Sequence, residues 1–485
     1  MLSDLRRSIV RLGGRLAPGR KVLELVTRIG RSRMNPQVRA KLEALERPVM
    51  REMVERAARL EPLIHEPGGP RRVTWPPRVH DCRPLFEHAR SLQDALGTEP
   101  VHTVLLLPHM RRLSGASRCG MLMARAMARL HPGERILVLL TDRHEPLPQE
   151  GMEADGPEIF DFARIVPRSL RPKFRRLLLL DMLSGLGVRR VVNVNSRLGW
   201  DLFVEYGSQL RSWTDLYAYL FCWDLDREGR RTGYPIRELQ GAFSCLDGIF
   251  FDSRALREET VERYMLPTAL RERLVTVYTP ADEGLPDLTE LAGRRFGGGG
   301  RLRALWAGRL DRQKRPDVAF EIMRRLPDVE LHMYGTSVFG DGGVRYKRRP
   351  GNVRLAGVYE RFSELPLRSF DFFLYTSEWD GLPTVLIQAG ACGMPVVAAD
   401  VGGVGDLVRE DTGWPVFRPL DPEAYVARIR EMLSDPEEAR RRARALRDRT
   451  LAMCNDRKFT QDVGRFLERT SRHAQGGPGE SVPDG

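Results

Sequence analysis

Apolar and polar positions follow two different periods along this chain. Over residues 1–98 the period is helical: Leu2, Leu5, Ile9 and Leu12 form one stripe, and Val22, Leu25, Val26 and Ile29 another. Gly13-Gly14 and Pro18 part the two, and residues 66–80, rich in Pro and Gly, read as extended. From about residue 101 short, continuous apolar runs take over. They are "TVLLLP" (103–108), "RILVLLT" (135–141), "RRVVNVN" (189–195), "LYAYLFC" (216–222) and "DGIFFDS" (247–253), with helical segments between them. Runs this short and this apolar suit strands buried on both faces, and their alternation with helices predicts a doubly wound parallel sheet.

The stretch "AGRRFGGGGR" (292–301) breaks the pattern, since four consecutive glycines suit a linker rather than an element. The alternation then restarts with "RALWAG", "VELHMYG", "NVRLAG", "DFFLYTS" and "MPVVAAD". The sequence therefore predicts an α/β protein with two Rossmann-like parallel domains facing each other across a cleft. The expected boundaries are a helical or irregular basic N-terminal extension (1–98), an N-terminal Rossmann-like domain (99–285), a Gly-rich linker (286–300) and a C-terminal Rossmann-like domain (301–436). Helices packing back toward the N-domain (437–473) and a disordered tail (474–485) complete the chain. In "ASRCGMLMARAMARL" (116–130), Met123, Met127 and Leu130 share one helical face and read as core.

The 485 residues suffice for two or three domains with their own cores, and the net charge is +13. The excess is uneven: residues 1–60 hold 15 Lys/Arg against 6 Asp/Glu. Such a balance suits an acidic partner, whether nucleotide phosphate, anionic lipid or nucleic acid. With no basic patch interleaved with aromatics, nucleic acid is not expected. The basic N-terminal stripes fit either docking on an anionic membrane or a solvated extension packed on its own domain. The six cysteines are scattered without CxxC spacing, which fits buried thiols in a reducing compartment. Arg6, Arg7, Arg11 and Arg15 interrupt any signal-peptide core, and no apolar run is long enough to span a bilayer. A cytoplasmic location is expected, with peripheral contact at the inner face of the membrane as its extension.

Facing α/β domains bind ligands beyond the carboxyl ends of their strands. Those ends carry Gly115, Gly308-Arg309, Gly335, Gly357 and Ser377–Gly381. Glycines let backbone N–H groups approach phosphate, and Arg309 with Lys314, between a strand and a helix, suits a diphosphate. A solvated basic turn is the alternative reading of that pair. No metal-ligand cluster is visible, and no GxGxxG follows a strand as a dinucleotide fingerprint requires.

Five blocks in order, "AGRLDRQKRPDVAFEIMRRLPD", "LHMYG", "NVRLAGV", "SEWDGLPTVLIQAGACGMPVVAADVGGVGDLV" and "TGWPV", resemble retaining glycosyltransferase family 4 (glycosyl transferases group 1), which has the GT-B fold. The resemblance is good over about 302–420 and weak over 101–280, where "SGAS" resembles the family's GGAE-type loop. It implies a nucleotide-diphosphate sugar as donor, no required metal or cofactor, and a glycan or lipid-linked acceptor. The family's two glutamates, eight residues apart, fall on Asp380 and Gln388. The first is implied to contact the donor sugar and the second the ribose. Asp380 is one methylene short, and Gln388 has lost the charge.

The resemblance further implies that Arg309 and Lys314 hold the diphosphate, Gly357, Val358 and Tyr359 border the base, and Gly115 closes over the donor from the N-domain. Gly308, Gly335, Gly381, Leu382, Pro383, Thr384, Gly402 and Gly403 complete the implied donor site. The family's usual His-Asp after a middle N-domain strand is Trp223-Asp224 here, so the histidine is absent. Asp224 orients sugar or acceptor, or is a solvated loop carboxylate. His109, ending the first N-domain strand, faces the cleft if that strand is placed correctly. Two functions follow from the resemblance: a retaining hexosyltransferase of cell-surface polysaccharide or glycoconjugate biosynthesis, or a non-catalytic GT-B scaffold or regulatory subunit.

Overall fold

A computed structural model describes residues 52, 83–111, 114–144, 156–296, 298, 300–336 and 349–472. The helical stripes expected before residue 60, the stretch 66–80, Cys82 and the tail 474–485 lie outside the described residues, apart from residue 52. The chain divides into two units, Met1–Arg90 and Ser91–Gly485, and both parallel sheets belong to the second.

The first sheet is built from β1 (Thr103–Leu107), β2 (Ile136–Leu140), β3 (Glu158–Asp161), β4 (Arg190–Val194) and β5 (Asp215–Leu220). After a small antiparallel hairpin of β6 (Asp224–Leu225) and β7 (Arg231–Thr232), β8 (Gly248–Phe251) and β9 (Leu274–Thr276) finish it. The order is β3-β2-β1-β4-β5-β8-β9, parallel throughout. Every residue of β1, β2 and β5 is buried. A strand with no wet face must be covered on both sides, and the crossover helices do this.

The second sheet contains β10 (Leu302–Ala307), β11 (Val329–Tyr334), β12 (Val353–Gly357), β13 (Phe372–Tyr375), β14 (Val396–Ala399) and β15 (Trp414–Val416) in the order β12-β11-β10-β13-β14-β15, again parallel. The side-chain period of two sends Ala304 and Trp306 of β10 into one core, with Phe320, Met323 and Trp414. Leu305 and Ala307 enter the other, with Phe373, Leu386 and Ile387. The fold is therefore GT-B, two Rossmann-like units in sequence.

Local chemistry sets the helix starts that matter for the cleft. Ser114 accepts from Ser117 N at 3.3 Å and begins helix Gly115–Leu130, and Ser196 accepts from Gly199 N at 2.9 Å and begins helix Arg197–Leu210. Met123 and Met127 pack in the first core with Phe250, Phe459 and Phe466. Helix Pro436–Met453 lies on helix Thr384–Ala391, whereas helix Asp456–Thr470 returns to Gly115–Leu130 and β8. Cys119, Cys222, Cys245, Cys392 and Cys454 are unpaired thiols. Among the described residues no helix is long and apolar enough to cross a membrane.

Each sheet reverses direction once, at β1/β4 and at β10/β13. In open parallel sheets such switch points leave a crevice at the carboxyl ends, because the flanking connections leave to opposite faces.

Candidate functional site

The β10/β13 crevice gathers most of the polar residues singled out in the sequence. Its floor is backbone: Gly308 N donates to Tyr334 O at 3.0 Å, and Gly335 N donates to Gly357 O at 2.8 Å. Gly335 has φ +143°, and a Cβ there would lie 1.8 Å from Gly308 O, so no other residue fits. Val358 is exposed beyond this floor, while Tyr359 meets Tyr334 edge to face with ring centroids 6.5 Å apart. Burial pushes the Tyr359 phenol up to about 12.

Loop residues after β10 and β13 meet above this floor. Lys314 Nζ pairs with Asp380 Oδ2, the Tyr375 hydroxyl donates to the same oxygen, and Lys314 Nζ also reaches Tyr375 Oη at 3.3 Å. The other carboxylate oxygen accepts from Gly381 N at 3.1 Å and Gln313 Nε2 at 3.5 Å. The Lys314 and Asp380 side chains keep only 12% and 13% exposure. Burial first, and then the Asp380 charge, raise the Tyr375 pKa well above its ordinary value, so its proton stays available for donation. Arg309 is more open: it pairs with Asp311 at 3.3 Å and also donates to Gln313 Oε1.

The carboxyl end of β8 docks onto the next loop. Asp252 Oδ2 accepts from Leu382 N at 3.1 Å, and a Cβ on Gly381 would lie 1.9 Å from that oxygen and 2.4 Å from Phe221 O. Glycine is required by this close approach of the two domains. Gly402 backs onto the Asp380 carbonyl, Gly403 N donates to Gly381 O at 3.1 Å, and Gly403 packs on Ser253. Asp406 accepts from Arg254 N at 2.8 Å and from Tyr278 Oη at 3.1 Å. Asp252 is buried, and among the described residues its Oδ1 has no hydrogen-bond partner. Burial, with the nearby Asp380 and Asp406 carboxylates, raises its pKa well above the ordinary value, opposed by the Leu382 N–H.

Gln388 and Gly115 mark the remaining wall. Gln388, 1% exposed on helix Thr384–Ala391, accepts from Asp282 N at 2.9 Å through Oε1, and its Nε2 is buried without a partner among the described residues. Arg118 ties Asp282 in turn, at 2.7 Å. Gly115 and Thr384 begin helices on opposite domains, and a Cβ on Gly115 would sit 3.9 Å from Thr384 Oγ1. Leu382 is buried and Pro383 leads into the second helix.

The structure thus brings together Arg309, Lys314, Asp380, Gly381, Leu382, Gly402 and Gly403, with Gly308, Gly335 and Gly357 as floor. It leaves Asp224 exposed on the β6–β7 hairpin, where its carboxylate accepts from Leu225 N at 2.8 Å. That hairpin does reach the second domain: Arg312 donates to Asp226 O at 3.1 Å. His109 follows β1, and its carbonyl accepts from Ser117 Oγ at 2.9 Å. Sequence reasoning missed Asp252, Tyr375 and Gln313. Asp252 had a signal, an acid closing the apolar run "GIFFD".

Comparison with known proteins adds to this geometry. Residues 298–449 match the family described as Glycosyl transferases group 1. D-inositol 3-phosphate glycosyltransferase of Mycolicibacterium gilvum is 30% identical over 145 residues, 27% of this chain and 32% of that protein. Sulfoquinovosyl transferase SQD2 of Arabidopsis thaliana is 29% identical over 153 residues, 30% of this chain and 29% of that protein. The match thus spans about a third of the length of these curated relatives. Anabaena Alr3699/HepE, solved with UDP and glucose, superposes with a TM-score of 0.59 at 15% identity over 76% of this chain and 99% of that one. Sucrose-phosphate synthase from Thermosynechococcus elongatus gives 0.58 at 18% identity, over 76% and 98%. These two likenesses concern the fold.

Proposed function

We propose that the chain is a glycosyltransferase that moves a hexosyl unit from a nucleotide-diphosphate sugar to a glycan or lipid-linked acceptor, with retention at the anomeric carbon. One observation carries this reading: the β10/β13 switch point gathers Arg309, Lys314 and Asp380 over a floor of Gly308, Gly335 and Gly357, within the segment that matches the family. In this reading the base lies by Val358 and Tyr359, the diphosphate by Arg309 and Lys314, and the sugar by Asp380, Gly381, Gly402 and Gly403. Gly115 covers the donor from the first domain.

The chemistry follows from where charge grows. As the bond from the anomeric carbon to the phosphate oxygen breaks, the leaving diphosphate gains negative charge, and fixed cations beside it lower the barrier. The acceptor oxygen bonds to the same face of that carbon, and its proton passes to the departing phosphate oxygen. That route needs no histidine.

The second reading, a non-catalytic GT-B scaffold or regulatory subunit, draws on two observations. Lys314 and Asp380 already satisfy each other, and Gln388 already serves Asp282. Incubation with UDP-, GDP- and ADP-sugars, reading nucleotide release with and without glycan acceptors, separates the two. Release that Lys314→Ala abolishes supports the transferase. Binding of a nucleotide sugar without release or transfer supports the scaffold.

A further inference from the structure

The first sheet carries its own cluster of charge one strand from its switch point. Thr141 and Asp142 follow β2, next to β1 in the sheet. Arg175 donates from a terminal nitrogen to Thr141 O at 2.6 Å, and Arg168 Nε donates to Asp142 O at 2.7 Å. Two guanidiniums therefore stand on consecutive carbonyls. Among the described residues neither meets a carboxylate.

The Asp142 carboxylate, one of the acids facing Arg175, is otherwise engaged. It accepts from Arg197 N at 2.9 Å and Leu198 N at 3.2 Å at the start of helix Arg197–Leu210, and from the Thr141 hydroxyl at 3.1 Å. Arg175 Nε is buried with no hydrogen-bond partner among the described residues. Burial lowers the Arg175 pKa and the Arg168 charge adds to that, while Asp142 and Asp201 oppose both. Arg143, next in the chain, is exposed at the same edge. Two neighbouring cations hydrogen-bonded to carbonyls repel each other; Asp142 and Asp201 offset part of that repulsion, and an anion between the cations removes more of it.

We propose that Arg168 and Arg175 form an oxyanion site at the carboxyl end of β2, with Arg143 on its rim, that takes a phosphate group carried by the acceptor. Guanidinium forks match the tetrahedral oxygens of phosphate, and a dianion balances two cations where a carboxylate balances one. The site is separate from the proposed donor cluster. The second domain meets the first at the ends of β5 and β8, through Phe221 and Asp252, and at the start of the helix after β1, through Gly115. In the order β2-β1-β4-β5, β2 lies three strand spacings from β5, about 14 Å. Among the described residues Arg168 and Arg175 bond only first-domain carbonyls, beyond β1 from the second domain, so the anion is assigned to the acceptor side. Its role as an acceptor site rests on the transferase reading, whereas the binding itself does not.

The test is calorimetric titration of the full chain with inorganic phosphate and with glycerol 3-phosphate, at ionic strength fixed with chloride, beside a separate titration with UDP. Phosphate binding is expected to weaken about tenfold or more in Arg168→Gln and in the Arg168→Gln/Arg175→Gln double variant, with UDP binding unchanged. Arg168 is exposed, so the single variant remains informative if the double variant fails to fold. A vesicle arm compares phosphatidylcholine with phosphatidylcholine containing phosphatidic acid. Vesicle binding lost in Arg168→Gln assigns the phosphate to a lipid, and an effect confined to the soluble probes assigns it to a soluble phosphate ester. Equal phosphate binding by parent and variants, or none by the parent, overturns the site. UDP binding without phosphate binding removes this site and leaves the transferase reading standing. Phosphate binding at Arg168 without nucleotide binding does the reverse.

Discussion

Replacing Asp380 with Ala is expected to destabilise the free protein and to tighten nucleoside diphosphate binding. Asp380 holds the Lys314 ammonium, with Tyr375 and Gln313 also bonded to its carboxylate. Removing one partner of a buried pair costs about 3–5 kcal/mol because the other charge is left uncompensated. Here both side chains keep 12–13% exposure and Lys314 retains the Tyr375 hydroxyl, so roughly 2–3 kcal/mol is a fair expectation. In the parent a diphosphate reaching Lys314 competes with Asp380. In the variant it has no competitor, so the ligand recovers part of the lost stability by mass action.

The assay is thermal unfolding of parent and Asp380→Ala with and without UDP, GDP or ADP, plus calorimetry for affinity. The stabilising shift from the diphosphate should be larger in the variant than in the parent. Turnover should fall, since this position faces the sugar in the transferase reading. A variant that melts like the parent and binds the diphosphate no more tightly would show that Asp380 does not restrain Lys314.

Three further outcomes are expected. Arg309→Ala, at an exposed side chain that pairs with Asp311 and Gln313, should weaken nucleoside diphosphate binding about tenfold or more while sparing nucleosides; equal losses for both ligands would place Arg309 at the base instead. Asp252 has a raised pKa in the folded seam, so its stabilising contribution is complete below the ordinary carboxylate value and is lost as pH rises through the raised one. Asp252→Asn keeps an acceptor for Leu382 N without a proton to lose; thermal melts from pH 5 to pH 9 should fall less steeply than the parent's, and identical profiles would refute this. Gln388→Glu buries a carboxylate whose partner among the described residues is the Asp282 N–H, so its urea midpoint should drop further from the parent's at pH 8 than at pH 5. An unchanged difference would mean that the new charge reaches water.

The two sheets were legible because their strands are continuous apolar runs ended by polar or glycine residues, and such runs form buried parallel strands wherever helices cover them. "RALWAG" and "DFFLYTS" correspond to β10 and β13, whose carboxyl ends frame the crevice. What those ends do with their charges was not legible. Lys314 looks like a phosphate ligand in sequence, yet its partner is a carboxylate 66 positions away. Tyr375 reads as core because "FFLY" is apolar, and it is buried, but its hydroxyl serves Asp380. The amide at Gln388 gains a local reason only in three dimensions, as acceptor for the backbone N–H of Asp282, 106 positions earlier. Pairings this distant depend on how the two domains meet, which no local period encodes.

The most direct test of the account is calorimetric titration of the full chain with UDP, GDP and ADP, each beside its nucleoside, for the parent and Lys314→Ala. The account expects at least one diphosphate to bind the parent well above its nucleoside, and that advantage to shrink in the folded Lys314→Ala variant. If no diphosphate binds better than its nucleoside, or if the variant keeps the full advantage, the β10/β13 crevice is not a nucleotide-sugar site.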